Sequence, residues 1–213
     1  MIEHPEAVKE LFHFVVEDML GYLRWQQREG LLTPNNANQY AGAGSYGFSR
    51  ELRPVPGQVK LADLWGNLNS QETVGLSPAM FEEFAFPAYG RLAEEFGLIY
   101  YGCCEPVHDI WDRCLSRLPH LRKVSISPWC DEAFIGERLR GAPVIYSRKP
   151  SPNYIGVGQF DEQAFSAHVA QTLRAARGCR LEIIFRDIYA LDGDLTKPAR
   201  AVAVVRKLID EMW

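Results

Sequence analysis

Phe96-Gly97-Leu98-Ile99-Tyr100-Tyr101-Gly102-Cys103-Cys104-Glu105-Pro106-Val107-His108 is an apolar run that breaks at a polar corner and then enters an amphipathic segment ending near Leu118. Strand, corner and helix in that order make a βα unit. In α/β proteins the carboxyl end of a strand is where chemistry is placed. Two thiols, a carboxylate and an imidazole fall within this one corner.

The same grammar repeats on the carboxyl side. Lys123-Val124-Ser125-Ile126-Ser127 reads as a strand ending in Pro128-Trp129-Cys130-Asp131, followed by a helix to Arg140 that Gly141 closes. Pro143-Val144-Ile145-Tyr146-Ser147 is the next strand, ending in Arg148-Lys149-Pro150, and a helix from Asp161 to Arg177 follows, capped by Gly178. The last strand, Leu181 to Arg186, stops at Asp187, and a terminal helix begins near Pro198. On the amino side, Ser77-Pro78 opens a helix as N-cap and first helical residue, with Glu82 and Glu83 in its early turns and Gly97 as its expected C-cap. Val59 to Trp65 is a short candidate strand.

Strands alternating with helices, with no hairpin signals, imply a parallel sheet with right-handed crossovers. Its strand ends would share one edge, so Cys103, Cys104, Glu105, Trp129, Cys130, Asp131, Lys149 and Asp187 could converge on one pocket. Val124 and Ile126 share one strand face, Ser125 and Ser127 the other, and Glu182 shares a face with Arg186. A polar inner face suits a barrel with a wet mouth better than a sheet covered by helices on both sides.

Upstream, Pro5 opens an amphipathic helix to about Arg28 that Gly30 stops. Residues 31–58 read as one long irregular loop, rich in Gly, Asn and Pro but also in aromatics. Its Gly42, Gly44 and Gly47 form a Gly-x-Gly-x-x-Gly. No strand precedes that motif and Pro54 follows too soon for the required helix, so it is a weak nucleotide signal. The chain is thus expected to be a single domain: a helix over 1–30, the loop over 31–58, and repeated βα units over 59–213.

At 213 residues and 47% hydrophobic content, one substantial core is expected. The net charge of -4 argues against a nucleic-acid partner, and no apolar run approaches membrane-spanning length. The start Met-Ile-Glu-His-Pro-Glu does not read as a signal peptide, which points to the cytoplasm. There, the five cysteines are expected as free thiols or ligands rather than disulfides. A bridge between adjacent cysteines would also be strained.

Each candidate has a structural alternative. Cys103, Cys104, His108 and Cys130 are candidate zinc ligands, or the cysteines are small buried residues. Glu105 and Asp131 are a candidate acid/base pair, or each caps a helix or pairs with Arg122 or Lys149. Asp187 is a third catalytic candidate, or an ion pair with Arg186. Lys149 is a candidate point charge for a carboxylate or phosphate. Trp65 and Trp129 could floor a pocket or fill core and rim. His4, His13, His120 and His168 have no clustered partners and read as structural.

Four motifs together carry a family resemblance. Ser77-Pro78-Ala79-Met80-Phe81-Glu82-Glu83-Phe84 with Phe86-Pro87 is similar to an "SP-x-x-F-x-E-F-x-x-P" helix. Tyr101-Gly102-Cys103-Cys104 stands at a strand end, and Ser125 to Asp131 and Lys149 to Pro152 follow at later ones. In this order the chain resembles the carboxyl-terminal portion of the uroporphyrinogen decarboxylase superfamily, which includes corrinoid-dependent methyltransferases. The resemblance implies part of a TIM (β/α) barrel and an enzyme, most directly a methyltransferase acting at the Cys/Glu corner. A decarboxylase of a tetrapyrrole-like substrate is the other family activity. A different class, a catalytically silent barrel subunit or binding module, is the alternative.

Zinc and a corrinoid are family implications. Methyltransferase members use His-x-Cys and a distant Cys for zinc. Tyr101 stands where that His would align, and Cys179 lies at a strand start. About five strands are legible where a full barrel has eight and ~250 residues. A homo-oligomer, or a complementary barrel half, is therefore the expected partner for the unpaired strand edges.

Overall fold

The structure, a computed structural model, describes residues 3–213. The amphipathic amino-terminal stretch forms helix α1 (Pro5–Arg28), opened by Pro5 and followed by Gly30 with a φ of 68°. Seven strands follow: β1 (Tyr40–Gly42), β2 (Ser45–Tyr46), β3 (Trp65–Leu68), β4 (Leu98–Tyr101), β5 (Leu121–Ile126), β6 (Ile145–Arg148) and β7 (Arg180–Ile183). The last five form one sheet in the order β3-β4-β5-β6-β7, and every pairing is parallel.

Helices interleave with these strands as expected. Between β3 and β4, α2 (Pro78–Met80) runs through a π segment, Phe81–Ala85, into α3 (Phe86–Ala93). Pro87 has no N–H to return to the carbonyl four residues back, which accounts for the widened turn just before it. Next come α4 (His108–Trp111), α5 (Glu132–Leu139), α6 (Asn153–Gly156), α7 (Glu162–Ala175) and α8 (Lys197–Met212). The carboxylates of Asp131 and Asp161 accept from the N–H groups of Phe134 and Ala164, each at 2.9 Å, and so cap α5 and α7.

Sequential strand order has a consequence for the layers. Each right-handed crossover moves one strand in the same direction, so every helix falls on one face of the sheet. In register, Leu68, Tyr101, Val124, Tyr146 and Leu181 point to that face. They pack there with α1, α3, α4 and α5 in one apolar cluster, and with α6, α7 and α8 in a second that shares Leu181. Alternation then turns Asn67, Tyr100, Lys123, Ser125, Ser147 and Glu182 to the opposite face, and that face is polar.

What covers the polar face corrects the reading of residues 31–58. The stretch is not wholly irregular: β1 and β2 pair antiparallel as a small hairpin. Gly42 and Gly44 take φ of 135° and 87° to make its turn, so this motif is a turn and not a phosphate loop. A Cβ on Gly42 would collide with Asn67 of β3 at 2.3 Å, and one on Gly44 would meet Ile184 beyond β7 at 3.1 Å. Five flat strands would hold those two places roughly 19 Å apart. A three-residue turn spans only about 7 Å, so the sheet curls towards the hairpin, which sits in its concavity. Trp65, Leu98, Tyr100, Ala41, Ala43 and Leu52 form the apolar part of that contact.

Three boundaries differ from expectation for identifiable reasons. Val59 to Leu64 is not a strand, since Leu61–Asp63 forms a 3-10 turn held by the Asp63 carboxylate on the Lys60 N–H at 2.9 Å. Gly97 is not a left-handed helix cap: a Cβ there would lie 2.1 Å from the Ala62 carbonyl, so close backbone approach is what requires glycine. The segment from His108 to Leu118 is not one helix but α4 followed by a 3-10 turn, Leu115–Arg117. No helix among the described residues is long and apolar enough to cross a membrane.

Candidate functional site

At the carboxyl ends of β4, β5, β6 and β7 the structure places a cleft of ≈ 190 Å³. It is lined by Cys103 and Cys104, Pro128 and Trp129, Lys149 to Asn153, and Arg186 and Asp187. Four separate strand ends thus supply one site, by the convergence that a parallel sheet enforces.

The corner after β4 is shaped by Gly102. Its φ of 95° turns the chain, and a side chain there would meet Ser125 at 3.1 Å. Glu105, 3% exposed, braces the turn from below. One carboxylate oxygen accepts from the Ser70 N–H at 2.8 Å and the other from the Cys103 N–H at 2.9 Å. Glu105 therefore positions the cysteines and lines a different hollow, with Ser70 and Thr73.

The two thiols lie 3.7 Å apart and differ in surroundings. A guanidinium nitrogen of Arg186 donates to Cys103 Sγ at 3.0 Å. Cys104 lies 3.9 Å from Asp187 Oδ2, and burial, followed by the adjacent Cys103, pushes its pKa up to about 11, which keeps it a neutral thiol. Arg186 also pairs with Asp187, Nε to Oδ2 at 2.9 Å and Nη2 to Oδ1 at 3.1 Å. Asp187 holds a φ of 60°, a sparsely populated conformation for a residue with a Cβ, at the point where the chain enters the cleft.

Lys149 extends β6 by one rung, its N–H donating to the Ile126 carbonyl at 2.9 Å. Alternation sends its side chain to the polar face while Arg148 turns to the helices, where it pairs with Glu132 at 2.7 Å. Lys149 is 2% exposed and donates to Tyr100 Oη at 2.6 Å and to Ser125 Oγ. Burial first, and the nearby Arg186 charge second, pull its pKa down to about 8 against the opposing pull of Cys103, Cys104 and Glu182. Lys123 on the same face is equally buried but differently served: it pairs with Glu182 at 3.1 Å.

The expected groupings assemble only in part. Cys103, Cys104, Lys149, Asp187 and Trp129 meet at the cleft. The zinc set does not: Cys130 bonds Ser127 Oγ at 3.5 Å, and His108 accepts from the Asp131 N–H at 3.3 Å, beside Phe134. Among the described residues no group of three or more His, Cys, Asp or Glu side chains could hold a metal ion. The donor set does not fit zinc. Asp131 is the cap of α5 and lines a separate groove with Glu132 and Arg148, so it forms no acid/base pair with Glu105 at one cleft. Trp65 is core: its indole N–H donates to the Gly47 carbonyl at 2.7 Å and anchors the loop after the hairpin. Trp129 stays 73% exposed at the rim.

Arg186, Tyr100 and Ser125 were not singled out by sequence. The available signal was the shared face of Glu182 and Arg186, although the strand itself ends at Ile183, three residues before Arg186. Compared with known proteins, the chain matches no family model, no curated protein and no solved structure.

Proposed function

We propose that the chain is an enzyme acting on a small carboxylate-bearing molecule at the strand-end cleft, with Arg186 as its anion-binding side chain and Lys149 beside it. The observation that carries this reading is the charge assembled there. The Arg186 guanidinium and the Lys149 amine stand with the carboxylate of Asp187 in a cleft walled by Cys103, Cys104 and Trp129. The guanidinium spends its bonds on Asp187 and Cys103 and, with five donors, keeps N–H groups for a substrate carboxylate.

The fold-level part of the proposal is that the sheet is the later part of a TIM-type barrel of the uroporphyrinogen decarboxylase-like kind. Sequential strand order, one-sided helices and the curled polar face support it. Of the chemistries this resemblance implies, carboxylate handling is favoured over zinc-assisted methyl transfer, because the zinc donors do not converge. A cleft of ≈ 190 Å³ is below the usual range of drug-sized ligand pockets, which favours a substrate far smaller than a tetrapyrrole.

Calorimetric titration with short mono- and dicarboxylates tests the reading. Binding is expected, and Arg186→Gln should weaken it by about 1.5–3 kcal/mol, the worth of a charge-assisted hydrogen bond. Failure of every carboxylate to bind, or binding that Arg186→Gln leaves untouched, would sink the proposal.

A further inference from the structure

We infer that Lys149 is an amine nucleophile, which forms an iminium with the carbonyl carbon of a small oxo-carboxylate whose carboxylate rests on Arg186. The inference deepens the carboxylate reading and rests on it. Its ground is the direction of the hydrogen bonds around Nζ.

Ser147 Oγ donates to Glu182 at 2.7 Å, so in the 3.2 Å contact between Ser147 and Tyr100 the phenol must be the donor. Ser125 Oγ donates to the Cys103 carbonyl at 2.6 Å. Both hydroxyl protons are therefore committed elsewhere, and both hydroxyls can only accept from Lys149. The amine donates two N–H bonds, one to each, and its third position has no partner among the described residues. In the neutral amine that position is the lone pair. Lys149 also forms no ion pair with a carboxylate, whereas Lys123, equally buried, does. An ammonium buried without a counter-charge is costly unless the group works as a free amine. Desolvation beside a second cation is a recognised way to activate a lysine for carbonyl chemistry, and Arg186 supplies that cation here.

The step balances without a co-reactant. The Nζ lone pair forms the C–N bond as the carbonyl π pair moves to oxygen. One amine proton transfers to that oxygen, giving a carbinolamine. A proton taken up from bulk solvent onto its hydroxyl lets water leave, and the nitrogen lone pair closes the iminium, so that one proton is consumed and one water released. In a 3-oxo acid the iminium could then accept the electron pair of the breaking bond to the carboxylate, which departs as carbon dioxide.

Borohydride reduction in the presence of pyruvate tests the inference on the intact protein. Peptide mass analysis should find Lys149 carrying one pyruvic acid less one oxygen atom, and Lys149→Arg should carry none there. Trapping should rise with pH through about 8 as the amine deprotonates. The groups facing it in that range are Tyr100, Cys103 and Cys104 from β4 and its corner, Lys123 from β5, and Glu182, Arg186 and Asp187 from β7 and beyond. Modification confined to exposed lysines such as Lys60 or Lys207, or a yield flat across that pH range, would overturn the inference. Lactate, which has the carboxylate but no carbonyl, separates the two ideas. Lactate binding without a Lys149 adduct overturns the iminium and leaves the carboxylate reading standing. Neither binding nor adduct overturns both.

Discussion

At the scale of single residues, Lys149 and Lys123 make opposite statements about stability. Each is 2% exposed on the same sheet face, but among the described residues only Lys123 of the two has a carboxylate partner. For Lys149 the folded pKa is about 8 against an ordinary 10.5, chiefly from burial. Between those pH values the unfolded chain holds a proton that the folded chain does not, so stability rises with pH across that window. Below it the folded protein carries a penalty on the order of 3 kcal/mol, at about 1.4 kcal/mol per pKa unit. Lys149→Met should therefore raise the urea-unfolding free energy at pH 7, and the gain should vanish above pH 10.5. Lys123→Met should do the reverse, because it leaves the Glu182 carboxylate half-buried and uncompensated. Equal effects from the two substitutions would remove the distinction between a paired and a working lysine. Stability given up at a functional position is an ordinary trade-off, and nothing in the residues flanking Lys149 in sequence announced it. The sequence placed this lysine at a strand end, but the pairing that separates it from Lys123 lies across strands.

At the scale of elements, the sheet's first edge shows how local chemistry replaces a missing strand. The Asn35 side chain donates to the Trp65 carbonyl at 3.0 Å and accepts from the Trp65 N–H at 2.9 Å, a one-residue imitation of a neighbouring strand. Asn35→Ala should cost about 1–3 kcal/mol by leaving buried backbone groups of β3 unpaired, measured as a lower melting temperature. Asn35→Asp keeps the acceptor and loses the donor, and should fall between the two. Elements set by local signals were legible beforehand: α1 from Pro5 and its apolar spacing, α5 and α7 from the glycines that stop them, Gly141 and Gly178, and β4 to β7 from their apolar runs. The β1–β2 hairpin was not. Its strands are three and two residues long, and neither β1 nor β2 carries the alternation that marks a strand. Its place is set by Ser45 and Tyr46 meeting Lys123 and Glu182 from distant strands, a tertiary cause with no local trace.

At the scale of the whole molecule, convergence of strand ends was legible and the composition of the site was not. Parallel topology alone brings Cys103, Lys149 and Asp187 to one edge. Which side chains then enter the cleft depends on the turn after each strand. Gly102 lifts the cysteines over the sheet, Glu105 stays beneath them as a brace, and Asp131 is drawn off to cap α5. The same long-range ties predict how the chain unfolds. A protein of 213 residues exceeds the size at which two-state unfolding is the norm, and repeated βα units could in principle come apart in turn. Here the two apolar clusters beneath the helices share Leu181, and Lys123 bonds the hairpin to the sheet through Ser45, Tyr46 and Glu182. No layer can leave without stranding polar groups of another. Urea transitions followed by far-ultraviolet circular dichroism and by tryptophan fluorescence should therefore coincide. Trp65 reports the hairpin side and Trp111 the helix side of the sheet. An early fluorescence change that Trp65→Phe abolishes would mean that the hairpin detaches first, and that the polar face is closed by a separable lid rather than by an integral part of the core.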